Sequence, residues 1–286
     1  MNKKILILLA LFGLFFNVSS SYGFSFVDKN QKEVKLFLKN HSKAMKSQNL
    51  EEVKTFYDEN YKSSDGFNLK ELLEMLDKTN KTYAGIKYKT KIGKIDAKEN
   101  TASANMSDLT YATVYPNNNK KYKDKTGELK GKSNYIVNLK KENGSWKIVS
   151  DSVLEEETSL KYGIAKKINM DLITPTSIKK GEEYDLSLTM NKPLNIVALA
   201  SLTREEISYP PKDYQEKYRR IPDSNTLERL VRANEKNLDE YAIASVGFTK
   251  VSINEQINKA RIEVLGIAYV MKRINMDKTP QKREEI

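Results

Sequence analysis

Cysteine is missing from this chain altogether, and histidine and tryptophan occur once each, as His41 and Trp146. Without a thiol there is no disulfide framework, no thiolate zinc site and no cysteine nucleophile. A lone histidine leaves only scattered carboxylates as metal ligands, and they form no EF-hand ladder. Walker loops, Gly-x-Gly-x-x-Gly fingerprints and Gly-x-Ser-x-Gly elbows are also missing. The sequence thus indicates no metal and no cofactor. Clustered arginines interleaved with aromatic residues are missing too, although the formal net charge is +11. That charge is mostly lysine, so no nucleic-acid partner is expected. The densest basic stretch, NNNKKYKDKTGELKGK from Asn117 to Lys132, reads as a solvated hairpin loop.

Long apolar runs are missing after the N-terminus. There, MNKK precedes the 12-residue run ILILLALFGLFF, too short to span a bilayer comfortably. Ser21 and Gly23 then sit at the −3 and −1 positions of a cut before Phe24. This layout predicts a Sec-type signal peptide over residues 1–23, the alternative being a retained membrane anchor. The mature chain is expected to be periplasmic or extracellular, with no membrane span after processing.

What is present reads as helices first and strands afterwards. Residues 30–47 place Val34, Leu38, His41 and Met45 at helical spacing. Asn49 is a cap for a helix over residues 50–61, and Asn68 for one over 69–83. Alternating strands follow over 84–100, 101–115, 131–142 and 145–156. Asn143-Gly144 predicts a two-residue hairpin turn. Its simple register pairs Lys141 with Trp146, Leu139 with Ile148, Val137 with Ser150 and Tyr135 with Ser152. Trp146 then shares the apolar face, with Ser150 and Ser152 in phase, and Asp151 points the other way. Past residue 164, short strands are expected near 168–173, 184–190, 195–202, 240–253 and 260–276, with a short helix over 224–237 placing Leu227, Leu230 and Val231 inward.

Three features carry a family resemblance: LKNHSKAMKSQNLEEVKTFYDENY, the order of three helices before an antiparallel sheet, and the hairpin ENGSWKIVSD. With these, residues from about 30 to 160 resemble a nuclear transport factor 2-like (SnoaL-like) domain. The resemblance implies a cone-shaped α+β fold around a pocket. The C-terminal region is similar to an immunoglobulin-like sandwich by pattern only, which implies no function. The expected division is a signal peptide (1–23), an α+β cone domain (24–163), a mostly-β sandwich domain with a short helical insertion (164–276) and a flexible tail (277–286).

Enzymes of the resembled family use an Asp or His base with a Tyr or acid donor in the pocket. Here His41 is such a base or a hydrogen-bonded core histidine. Asp108, in phase with Ala104 and Met106, is an inward base or marks the strand's solvent end. Tyr57 and Tyr61 are donors or core filling. With Met106, Tyr135 and Trp146, the residues His41, Tyr57 and Tyr61 make up the expected ligand pocket. The shortage of catalytic groups favours an exported, non-catalytic protein that binds a small apolar ligand or a cell-envelope partner. The alternatives are an enzyme with His41 or Asp108 as base, and a structural module dimerising through the open sheet face.

Overall fold

The computed structural model describes residues 29–83, 85–115, 126–212, 215–254 and 259–277. The expected signal peptide, residues 117–125 of the expected basic loop, and the tail beyond Asp277 lie outside them. Three helices come first: α1 (Lys29–Ser47), α2 (Leu50–Lys54) and α3 (Leu69–Thr82). Asn49 caps α2 by accepting from the Glu52 amide, and Asn68 and Glu71 form a capping box on α3. Helix α2 stops well short of the expected residue 61. The backbone of residues 56–64 is used instead to line an edge of β4: Ile148 N–H donates to Phe56 C=O, Lys62 N–H to Val149 C=O and Ser64 N–H to Asp151 C=O.

The strands are β1 (Lys87–Ala97), β2 (Thr101–Val114), β3 (Gly127–Glu142), β4 (Ser145–Gly163), β5 (Met170–Ile173), β6 (Ser177–Ile178), β7 (Glu183–Met190), β8 (Val197–Glu206), β9 (Arg219–Arg220), β10 (Thr226–Arg232), β11 (Glu240–Asn254) and β12 (Lys259–Met276). Two expectations are corrected here. Residues 127–130, expected in a loop, begin β3. The expected helix over 224–237 is strand β10, paired with β7 from Thr226↔Thr189 to Arg232↔Glu183. Its Leu227, Leu230 and Val231 do fit helical spacing, but the ladder to β7 decides, leaving Leu230 exposed and Val231 buried.

One sheet runs in the order β1-β2-β3-β4-β12-β11-β8-β9, and β10-β7-β5 form a second. The first sheet therefore crosses the residue-164 boundary without a break. The crossing is made by Gly163 opposite Gly266. A Cβ on Gly163 would stand 2.1 Å from the Leu265 carbonyl oxygen, and one on Gly266 2.7 Å from that of Tyr162. Only glycine permits so close an approach of two backbones.

The run YAIASVGF in β11 is apolar on both faces, the mark of a strand covered on both sides. Tyr241 and Ile243 join a core with Phe67, Met75 and Tyr83 on the helix side, together with Tyr269 and Met271 of β12. Ala242, Ala244, Val246 and Phe248 join another core with Leu172, Leu186 and Leu188 of the second sheet. A third cluster, with Val34, Leu38, Tyr57, Met106, Tyr135 and Trp146, fills the far part of the cone. Arg273 of β12 ties the two regions ionically. Its guanidinium donates to both Asp65 oxygens at 3.1 and 2.5 Å and to Asp239 at 2.7 Å, all three side chains being buried. Among the described residues no helix is long and apolar enough to cross a membrane.

Candidate functional site

Between the two apolar clusters of the cone lies a polar belt. Cross-strand register builds it from two adjacent inward rows. One row is Thr90–Asp108–Ser133–Glu156 and the next is Tyr88–Thr110–Gly131–Thr158. Asp108, Thr110, Ser133, Glu156 and Thr158 are each 5% exposed or less. Thr110 and Thr158 flank Gly131, whose missing side chain leaves room between them: a Cβ there would lie 3.3 Å from Thr158 Oγ1 and 3.4 Å from Thr110 Cβ. Asp108 Oδ1, Thr110 Oγ1, Ser133 Oγ and Thr158 Oγ1 have no hydrogen-bond partner among the described residues.

Phenols aim at the carboxylates around this belt. Tyr135 donates to Asp108 Oδ2 at 3.0 Å, Tyr61 to Asp151 Oδ2 at 2.6 Å and Tyr241 to Glu156 Oε2 at 2.9 Å. His41 Nε2 lies 3.2 Å from the Tyr57 hydroxyl, and the Tyr57 and Tyr61 rings meet edge to face at 5.0 Å. Asp108 therefore points inward rather than marking a solvent end.

Burial sets the protonation of these groups. It lowers His41 to about 4, so the ring is neutral at pH 7. It raises Asp151 to about 6, opposed by the Tyr61 hydrogen bond. Asp108 is raised by burial against the opposing effects of Thr90 and Tyr135. Burial also raises Tyr57, Tyr61, Tyr135 and Tyr241, so all four remain phenols.

Asp151 overturns the simple hairpin register. The ladder pairs Leu139 with Ile148 but Asn138 with Ser150, so Val149 is an extra residue. This bulge reverses the faces beyond it. Val137 then opposes Asp151, which turns inward, while Ser150 receives a hydrogen bond from Asn138 at 3.0 Å on the outer face. Ser150 and Ser152 thus leave the face of Trp146. A second bulge at Leu154 restores the phase that brings Glu156 and Thr158 inward. Trp146 and Met106 are buried, Trp146 beside Leu139 and Ile148 with Lys141 Nζ 5.5 Å above its ring. Sequence reasoning missed Asp151, Thr110, Ser133, Glu156, Thr158 and Tyr241. Period-2 counting from Met106 reaches Thr110, and from Tyr135 reaches Ser133. No local signal reaches Tyr241, which arrives from the other end of the chain.

Among the described residues no group of three or more His, Asp or Glu side chains is placed to hold a metal. Outside the cone, a cleft of about 380 Å³ is lined by residues that include Arg204, Glu205, Glu206, Lys212, Arg229 and Lys236. Its cations are engaged within the fold: Arg204 with Glu240, Lys212 and Lys236 with Glu206, and Arg229 with the Leu202 carbonyl.

No protein-family model and no curated protein matches this chain. Among solved structures it is similar to Bd1075 of Bdellovibrio bacteriovorus, at 18% identity over 44% of this chain and 40% of that one, with a TM-score of 0.33. It is also similar to a nuclear transport factor 2-like protein of unknown function from Pseudomonas putida, at 11% identity over 43% of this chain and 83% of that one, TM-score 0.29. A hexachlorocyclohexane dehydrochlorinase, LinA-type3, from Novosphingobium barchaimii matches at 7% identity over 43% of this chain and 84% of that one, TM-score 0.34. Structural neighbours over about 44% of the chain are thus nuclear transport factor 2-like proteins, enzymes and proteins of unknown function among them. Likenesses of this size say nothing of what this chain does.

Proposed function

We propose that this chain is an exported binding protein whose cone takes a small uncharged molecule bearing hydroxyl or amide groups. One observation carries the reading. Four buried polar atoms on three neighbouring strands, Asp108 Oδ1, Thr110 Oγ1, Ser133 Oγ and Thr158 Oγ1, lack a partner among the described residues. Each unsatisfied buried group costs about 1–3 kcal/mol. Together they approach the whole net stability of a domain, about 5–15 kcal/mol. A set of that size is retained where something outside the chain satisfies it. The neutral His41 and the buried carboxylates Asp108 and Glu156 disfavour an anion, and Asp108 asks for a donor. The ligand is therefore polar, where the sequence suggested an apolar one. The test is thermal shift with monosaccharides and small polyols on the wild type and on Thr110→Val/Ser133→Ala/Thr158→Val. The expected result is a ligand-dependent rise in Tm for the wild type only, with a variant that is more stable on its own. A variant less stable than wild type overturns the reading, because the hydroxyls then serve the fold.

A second reading rests on Asp151, poised at about 6 and held by Tyr61 at 2.6 Å. Here the carboxylate is a general base and the tyrosines are donors to a developing oxyanion. Turnover with a pH profile rising near 6, lost in Asp151→Asn, supports it. Binding without turnover leaves the first reading in place.

A further inference from the structure

The outer face of the same sheet carries a second pattern that no linear motif displays. Cross-strand register lines up Lys87–Tyr111–Lys130 and, two residues on, Lys89–Leu109–Lys132. Lys91 continues the line on β1. All five lysines are exposed, and so is Tyr111, 42% accessible between two of them. Along each strand the charges stand about 7 Å apart, and the β1 and β3 lines run about 10 Å apart. The basic groups thus form two parallel tracks.

Most acids near the two tracks are engaged, while Asp96 stands exposed at the far end of β1. Glu128 pairs with Lys130 at 3.1 Å, Glu157 with Lys272 at 3.6 Å, and Glu155 accepts from Asn134 at 3.2 Å. Lys87, Lys89 and Lys132 make no ion pair among the described residues. A second copy stacked face to face would bring five further lysines against few carboxylates, so mostly like charges would be desolvated together. Nucleic-acid readers use arginine forks and aromatic platforms. This face has lysine point charges and one exposed ring. Charge complementarity therefore favours a linear, repeating polyanion held without base stacking.

We propose that the outer face of β1–β3 is a docking surface for an extended acidic polysaccharide. The proposal is independent of the cone and its ligand. The test uses the full chain and polygalacturonate as probe, with binding followed by titration at rising salt. Affinity is expected to fall with ionic strength as counterions are reclaimed. Lys87→Gln/Lys89→Gln/Lys130→Gln/Lys132→Gln is expected to weaken binding on the order of tenfold, while Lys35→Gln/Lys39→Gln/Lys43→Gln on exposed α1 positions changes it less than about twofold. Both variants are checked for an unchanged melting curve. Equal weakening by the two variants overturns the proposal, since bulk charge then accounts for binding. So does tighter binding of single-stranded DNA than of the polysaccharide. A wild-type dimer that the β1–β3 variant stabilises also overturns it, because the face then serves self-association.

Discussion

Strands β11 and β12 look into two different interiors. On the side of the second sheet, Ala242, Ala244, Val246 and Phe248 meet Leu172, Leu186 and Leu188 in a dry apolar core. On the side of the helices, Tyr241 and Tyr269 join a core with Leu129 and Leu160, and Tyr241 reaches Glu156 of the polar belt. The same two strands serve both, so backbone geometry does not demand polarity. The sandwich shows that this chain can fill an interior with aliphatic side chains. Both regions hold buried carboxylates, but Glu240 is met by Tyr184, Arg204 and Asn234, whereas Asp108 Oδ1 finds no partner among the described residues.

The largest expected effect falls on the joint between the two interiors. Arg273→Ala leaves Asp65 and Asp239 buried without their cation, which is expected to destabilise by about 3–5 kcal/mol. Denaturant unfolding measures it, and a loss under about 1 kcal/mol would mean that the joint is solvated and the regions respond separately. Next, Leu186→Ala in the fully buried sandwich core is expected to cost about 2–5 kcal/mol. In the cone, Thr110→Val is expected to raise stability. If both substitutions destabilise alike, the contrast between the interiors collapses.

Titration sharpens the comparison further, because the cone holds two deeply buried groups with opposed shifts. Asp151 is raised from 3.8 to about 6, so its stabilising contribution is full below its unfolded pKa and is lost as pH rises through 6. His41 is lowered from 6.5 to about 4, so its contribution is full above 6.5 and is lost as pH falls toward 4. Each is worth on the order of 3 kcal/mol, with opposite sign over nearly the same window. Wild-type stability is therefore expected to be nearly flat from these two groups between about pH 4 and 6.5. Asp151→Asn unmasks a fall in Tm on acidification, and His41→Leu unmasks a rise. Parallel pH profiles for the two variants contradict the assignment.

Much of the cone was legible in the sequence because its signals are local. Asn68 announces α3, and Asn143-Gly144 announces the β3–β4 turn. Elsewhere the deciding interactions are remote. One extra residue at Val149 has no compositional mark, yet it turns Asp151 inward. Thr226–Arg232 fits a helix by spacing and becomes a strand because β7 offers a ladder. Tyr241 reaches Glu156, 85 positions away in the chain, only because Gly163 and Gly266 let β12 join β4. Local periodicity therefore found Asp108, Tyr135 and the apolar stripe of α1, and missed the residues whose direction is set by a bulge or a crossing.

The smallest expected effect compares two phenol–carboxylate pairs of similar geometry. In the sandwich, Tyr184 donates to Glu240 at 3.1 Å. That carboxylate also receives Arg204 at 2.8 Å and two Asn234 donors at 2.7 and 2.6 Å. In the cone, Tyr135 donates to Asp108 at 3.0 Å, and Oδ1 of the same carboxylate has no hydrogen-bond partner among the described residues. Tyr184→Phe removes one donor among several and is expected to cost about 0.5–1.5 kcal/mol. Tyr135→Phe strips Asp108 of the phenol and is expected to cost about 1–3 kcal/mol. The difference shrinks if a polyol that binds the wild type is added, because a ligand hydroxyl can replace the lost phenol at Asp108 and has no place at the saturated Glu240. Calorimetry of both variants with and without the polyol reads this directly. Equal costs, indifferent to ligand, would mean that the Asp108 pair is as self-contained as its counterpart in the sandwich.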